Sequence, residues 1–207
     1  QKEIKIGPNS FENCQMKEIN ITSFIQSIEE SAFMSCQLLD QITFQSPSSL
    51  NSIKNDAFNG CSSLKVIEIP SSVTSIGDKC FNKCIMLDQI SFENNSVLNS
   101  IGKNAFEKCS SLKEISIPFS VMKIGEFAFN KCSLLTYVSL PPSLNEISDS
   151  LFSSCSSLQK ISIPSSVKKI GRRAFEHCSS LIDMNIPCSV RIIDDLAFYK
   201  CSSLISI

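Results

Sequence analysis

Eleven cysteines and a single histidine are the residues of this 207-residue sequence best equipped for chemistry. Regularly spaced thiols have three uses: disulfide bridges, a tetrahedral zinc site, or a nucleophile partnered with imidazole. Nine of the cysteines, at positions 14, 36, 61, 84, 109, 132, 155, 178 and 201, recur at intervals of 22 to 25 residues. Zinc needs ligands that converge, and one cysteine per interval supplies a line instead. Nine is odd, and equivalent positions have no natural pairing into bridges. A phenylalanine stands three residues before every one of them, from Phe11, Phe33 and Phe58 to Phe175 and Phe198. The ladder therefore reads as buried free thiols filling space, with disulfides somewhere along it as the competing arrangement. Cys80 replaces the alanine of an Ala-Phe pair and reads as core. Cys188 stands in a turn and reads as accessible, where it is a candidate for a reactive or intermolecular role or a simple substitution. His177 occupies a place held elsewhere by Lys83, Lys108, Lys131, Ser154 and Lys200, so it points outward and away from Cys178. Glu29, Glu30, Asp194 and Asp195 lie on polar turns without a consistent partner. Neither G-x-G-x-x-G nor G-K-[ST] occurs. The expectation is a non-enzyme without catalytic residues, metal or cofactor.

The period behind the cysteines organises the whole chain. One unit reads V-x-x-I-G-x-x-A-F-x-x-C-S-S-L-x-x-I-x-I-P-S-S, and the stretch CSSLKEISIP at Cys109–Pro118 returns as CSSLQKISIP at Cys155–Pro164. Leu112, Ile115 and Ile117 show the alternation of a short strand with one exposed face, closed by Pro118. Ala105, Phe106, Cys109 and Leu112 fall at steps of one, three and three, which predicts about one turn of α or 3₁₀ helix facing inward. Gly77, Gly102, Gly125 and Gly171 are expected at positive φ in the bend between the two segments. Two extra residues in QSPSS (45–49) and in ENNSV (93–97) leave the apolar positions undisturbed, so that turn lies at the surface. A single unit cannot bury its apolar residues, whereas stacked units can. The fold class expected is an α/β repeat solenoid: a right-handed leucine-rich-repeat superhelix with a parallel concave sheet and short helical turns on the other side. One such domain of about nine repeats of 22–25 residues covers 1–207, read as a fragment of a longer array.

The pattern L-x-x-I-x-I-P within I-G-x-x-A-F-x-x-C resembles the BspA-like leucine-rich repeat family along the whole chain. The F-x-x-C-S-S-L element is similar to its protist branch. The resemblance implies a surface protein of the adhesin type that contacts host cells and matrix or plasma proteins such as fibronectin and fibrinogen. It also implies no shared catalytic residues. Localisation at the cell surface or outside the cell is expected on this basis. An intracellular scaffold is the alternative that unpaired thiols and an apolar-poor start (QKEIKIGPNS) favour.

Binding in such an array is expected on the outward residues of the strands. Glu114, Tyr137, Lys160 and Asp183 fall in one column of these, and Phe119 replaces a turn serine beside them. Phe119 and Tyr137 together form a candidate aromatic anchor for a protein ligand, which Phe127 extends on another side. Lys168, Lys169, Arg172, Arg173 and Arg191 form a candidate patch for anions or sulfated glycans. The formal net charge of −1 disfavours nucleic acid, and no apolar run is long enough to span a bilayer. Asn94-Asn95-Ser96 is a sequon in a surface turn, and Asn20-Ile21-Thr22 is one within a strand. The chain opens and closes inside a unit, which raises the expectation of end-to-end self-association.

Overall fold

A computed structural model describes residues 3–207; Gln1 and Lys2, at the start of the apolar-poor segment, lie outside the described residues. Each unit contributes two strands rather than one. The expected L-x-x-I-x-I strands are β2 (Glu18–Ile21), β4 (Gln41–Phe44), β6 (Val66–Ile69), β8 (Gln89–Phe92), β10 (Glu114–Ser116) and β12 (Tyr137–Ser139). They form one parallel sheet in sequence order, with Ile67 beside Ile90 and Ile115 beside Val138. In later units this sheet thins to single bridges, from Lys160 to Asp183 and from Asp183 to Ser206. The second set is shorter, two residues each, and ends on the isoleucine before the glycine place. It comprises β1 (Lys5–Ile6), β3 (Ser27–Ile28), β5 (Ser52–Ile53), β7 (Ser75–Ile76), β9 (Ser100–Ile101) and β11 (Lys123–Ile124), all in parallel register. A separate three-stranded sheet continues the same positions with β13 (Glu146–Ile147), β14 (Lys169–Ile170) and β15 (Ile192–Ile193).

No helix occurs among the described residues, and the expected helical turns are corrected to left-handed ones. Two residues per unit, four apart, have φ between +53° and +78°, as in Asp56 and Gly60 or Asn104 and Lys108. Their effect shows in the amides of one unit. Asp56, Phe58 and Gly60 donate along the stack to the carbonyls of Asp78, Cys80 and Asn82 at 2.8, 2.9 and 2.8 Å. The alternate amides of Asn59 and Cys61 close four-residue turns on Asp56 and Phe58 at 3.0 and 3.1 Å. A helix would turn every N–H onto its own strand of chain, leaving no bonds between layers. Backbone pairing between layers wins over local helix because each layer finds an identical partner beside it.

The expected bend glycines are also corrected. Gly77, Gly102, Gly125 and Gly171 do not adopt positive φ; Gly60 is the glycine that does. The others are needed for closeness: a Cβ on Gly102 would lie 2.5 Å from the Asp78 amide nitrogen and the Gly77 carbonyl carbon. The interior is as the spacing predicts. Ala105, Phe106, Cys109 and Leu112 are all fully buried, and the same positions recur through one continuous core. Nine phenylalanine rings, from Phe11 to Phe198, stack with centroids 5.0 to 5.6 Å apart. Offset stacking of this kind adds to the burial of each ring. The two insertion turns, 45–49 and 93–97, lie largely at the surface.

Candidate binding surface

The ladder thiols point away from any partner surface. Eight of them, Cys36, Cys61, Cys84, Cys109, Cys132, Cys155, Cys178 and Cys201, each donate to the carbonyl of the phenylalanine one layer earlier. The Cys109 bond to Phe81 is 3.2 Å long. Cysteine suits the place because it is small, apolar and still able to satisfy a buried carbonyl. Burial pushes the thiols of Cys61, Cys80, Cys84, Cys109, Cys132, Cys155 and Cys178 upward. A thiolate is disfavoured at each of them, and with it nucleophilic chemistry. His177 is exposed, with its ring 6.0 Å edge-on from Tyr199, while the Cys178 sulfur is turned inward onto Phe152. The two are neighbours in sequence and point to opposite sides. Cys80 is buried and Cys188 is exposed, as their places in the unit predict.

The long-strand sheet brings four of the predicted residues together. Glu114 and Tyr137 are in register on β10 and β12, and the Lys160–Asp183 bridge continues the column. All four are exposed, because the alternate positions Ile115, Val138, Ile161 and Met184 take the core. Phe119 is 80% exposed and Tyr137 53% exposed. Both face a depression of about 590 Å³, whose apolar wall includes Leu140, Pro142, Ile163 and Pro164 and whose polar residues include Ser139 and Lys160. Phe119 also borders a second depression of about 910 Å³, shared with Glu93 and Ser116. An apolar wall of this kind with a few polar groups suits a side-chain anchor.

Phe127 does not join that pair. It occupies a left-handed turn position with φ 58° and borders a different notch, with Ser150, Arg173 and His177. The basic cluster is divided as well. Lys168 and Arg191 stack in adjacent layers, joined by a 2.8 Å backbone bond. Lys169 pairs with Asp194 at 3.1 Å, and Arg173 lies 3.8 Å from Glu176. Arg172 donates its backbone N–H to Asp149 at 2.9 Å. The Asp195 amide first, then Lys169, holds the Asp194 carboxyl below its ordinary range; the hydrogen bond to Asp194 raises Lys169 in turn. Sequence reading missed the short-strand sheet, whose two-residue strands are too brief to show alternation.

Stacked parallel strands around a Leu, Ile and Phe interior define a leucine-rich-repeat solenoid. The chain belongs to the BspA family of such proteins: the family model described as BspA type Leucine rich repeat region (6 copies) matches residues 4–120 and 99–207. Among solved structures it is similar to a Treponema pallidum (T. pallidum) leucine rich repeat protein, TpLRR. The two share 30% identity with a TM-score of 0.73, over 81% of this chain and 78% of that one. A Bacteroides ovatus leucine-rich repeat protein shares 31% identity with a TM-score of 0.59, over 97% of this chain and 63% of its own. The pneumococcal vaccine antigen PcpA, 24% identical with a TM-score of 0.67, has the same fold over 95% of this chain and 59% of its own. The chain thus spans less than two thirds of the latter two. Comparison with curated proteins finds no match.

Proposed function

We propose that this chain is a non-enzymatic protein-binding module that docks a protein ligand on its long-strand sheet. The observation that carries the reading is the exposed Phe119–Tyr137 pair beside an apolar-walled depression, with Glu114, Lys160 and Asp183 setting polar contacts along the same column. Aromatic side chains in such settings dominate the energy of protein interfaces, and charged neighbours select among partners. The ligand is a host or matrix protein and the setting a cell surface or the extracellular space, a reading supported by family membership and by the description of PcpA as a vaccine antigen. The second reading, an intracellular scaffold, draws on the ladder thiols, which act as hydrogen-bond donors in their reduced form.

Binding of the chain to a panel of immobilised matrix and plasma proteins tests the first reading. The double variant Phe119→Ala/Tyr137→Ala is expected to weaken whatever binding is found by about 2 kcal/mol or more, some thirtyfold. Its melting temperature is expected to stay within a few degrees, since both side chains are exposed. Absence of binding across the panel, or binding indifferent to the two aromatics, contradicts it.

A further inference from the structure

Several columns of this molecule mix the two signs of charge from layer to layer. Where the chain enters the long strands, Lys17, Asp40, Lys65, Asp88 and Lys113 follow one another, linked by backbone bonds such as Asp40 to Lys17 at 2.8 Å and Asp88 to Lys65 at 3.0 Å. After the glycine place, the Lys103 amide donates to Asp78 at 2.7 Å, and the Lys103 ammonium pairs with Glu126 at 3.2 Å. On the short strands Glu146 is in register with Lys169. Alternation of this kind cancels charge between layers.

One column carries a single sign over three layers. Lys83, Lys108 and Lys131 occupy the same place, just before the ladder cysteine, in three consecutive layers. Their backbones stack through bonds of 2.8 Å from Lys83 to Glu107, from Lys108 to Asn130 and from Lys131 to Ser153. The phenylalanines beneath them are 5.4 Å apart, so three like charges stand about one layer from each other. All three residues are left-handed, with φ of 60°, 63° and 62°. Asparagine or glycine fits that conformation more easily, and the column uses them at Asn13 and Gly60. None of the three lysines takes part in the ion pairs found among the described residues. The carboxylate that adjoins them, Glu107, is otherwise engaged: it accepts from the side-chain amides of Asn82, Asn104 and Asn130 at 3.0, 2.7 and 3.1 Å. Conformation and repulsion both weigh against lysine here, and the adjoining Glu107, held away by three neutral amides, offsets at most one of the three charges.

We propose that this lysine ridge binds a linear sulfated polysaccharide laid along the axis of the stack. A ridge one residue wide, repeating at each layer, fits a single narrow polyanion and not the paired phosphate rows of a double helix. The ridge runs on into a notch of about 450 Å³, opened by the small residues Ser150, Ser153 and Ser154 and bordered by Lys131, Arg173 and His177. Glu126, Asp149 and Glu176 border it too and balance Lys131, Arg172 and Arg173, so the notch adds room at the end of the ridge and no positive charge of its own. The site is separate from the Phe119–Tyr137 face and does not depend on it.

Heparin is the probe, with desulfated heparin and single-stranded DNA as the other arms. The chain is expected to bind heparin, to lose about tenfold or more in affinity between 50 and 200 mM salt, and to ignore desulfated heparin. The triple variant Lys83→Asn, Lys108→Asn, Lys131→Asn should lose about tenfold, whereas Lys17→Gln, Lys65→Gln, Lys113→Gln, which removes the same charge from an alternating column, should change affinity by less than about twofold. Amine acylation of the unmutated chain gives a readout that needs no variant: heparin should shield Lys83, Lys108 and Lys131 and leave Lys17 and Lys65 reactive. No heparin binding, equal loss in both triples, unshielded ridge lysines, or DNA bound as tightly as heparin each overturns the proposal.

Discussion

At the scale of single residues, the Phe–Cys pair defines each layer. Phe106 lies between Phe81 and Phe129 at 5.4 Å on both sides and is fully buried. Replacing it by alanine opens a cavity that neighbouring rings cannot close without breaking their own stack. Phe106→Ala is expected to lower stability by about 3–5 kcal/mol in urea unfolding. The thiols add a pH dependence whose sign is fixed by burial. Nine of them are pushed up in the folded state, so above their unfolded value of about 8.5 the unfolded chain binds fewer protons than the folded one. Their contribution is complete below that pH and is lost as pH rises beyond it. Urea midpoints should therefore fall steeply from about pH 8.5 upward, each thiol costing as much as about 1.4 kcal/mol per pH unit. A flat profile to pH 10 contradicts the buried ladder.

At the scale of elements, the long strands were legible and the turns were not. Leu112, Ile115 and Ile117 alternate in the sequence and are buried in the structure, because a pleated strand with one covered face leaves no other arrangement. The steps from Ala105 to Phe106, Cys109 and Leu112 suit a helical turn and a chain of four-residue turns equally well, since both place every third residue inward. What separates them is the left-handed pair. Asn9, Asn13 and Gly60 hint at it, while Lys79, Lys108 and Phe127 in the same places conceal it. Of the candidate face, the shared column of Glu114 and Tyr137 followed directly from the strand period. The separation of Phe127 from Phe119 did not, because it depends on which side of the layer a left-handed turn projects. Gly102 tests the close contact between layers: Gly102→Ala should cost about 1–3 kcal/mol through overpacking against Asp78 and Gly77. At Gly60 a Cβ would meet Ser35 only at ordinary contact distances, 3.5 Å and beyond, and the constraint is φ, so Gly60→Asn should cost less than Gly102→Ala in the same unfolding assay.

At the scale of the whole molecule, every layer repeats one solution, and each depends on its neighbours for its core, its amide partners and its thiol acceptor. Surface features can then vary freely, which is how one array carries an aromatic face on one side and a lysine ridge on another. Native-state thiol labelling read out by peptide mass spectrometry tests that architecture most directly, because the ladder cysteines are reporters placed at each layer. Cys188 should react at once in the folded protein, while Cys36, Cys61, Cys80, Cys84, Cys109, Cys132, Cys155 and Cys178 stay protected until denaturant is added. Labelling of those eight at the rate of Cys188, with the protein still folded, would contradict a continuous stack with sulfur inside it.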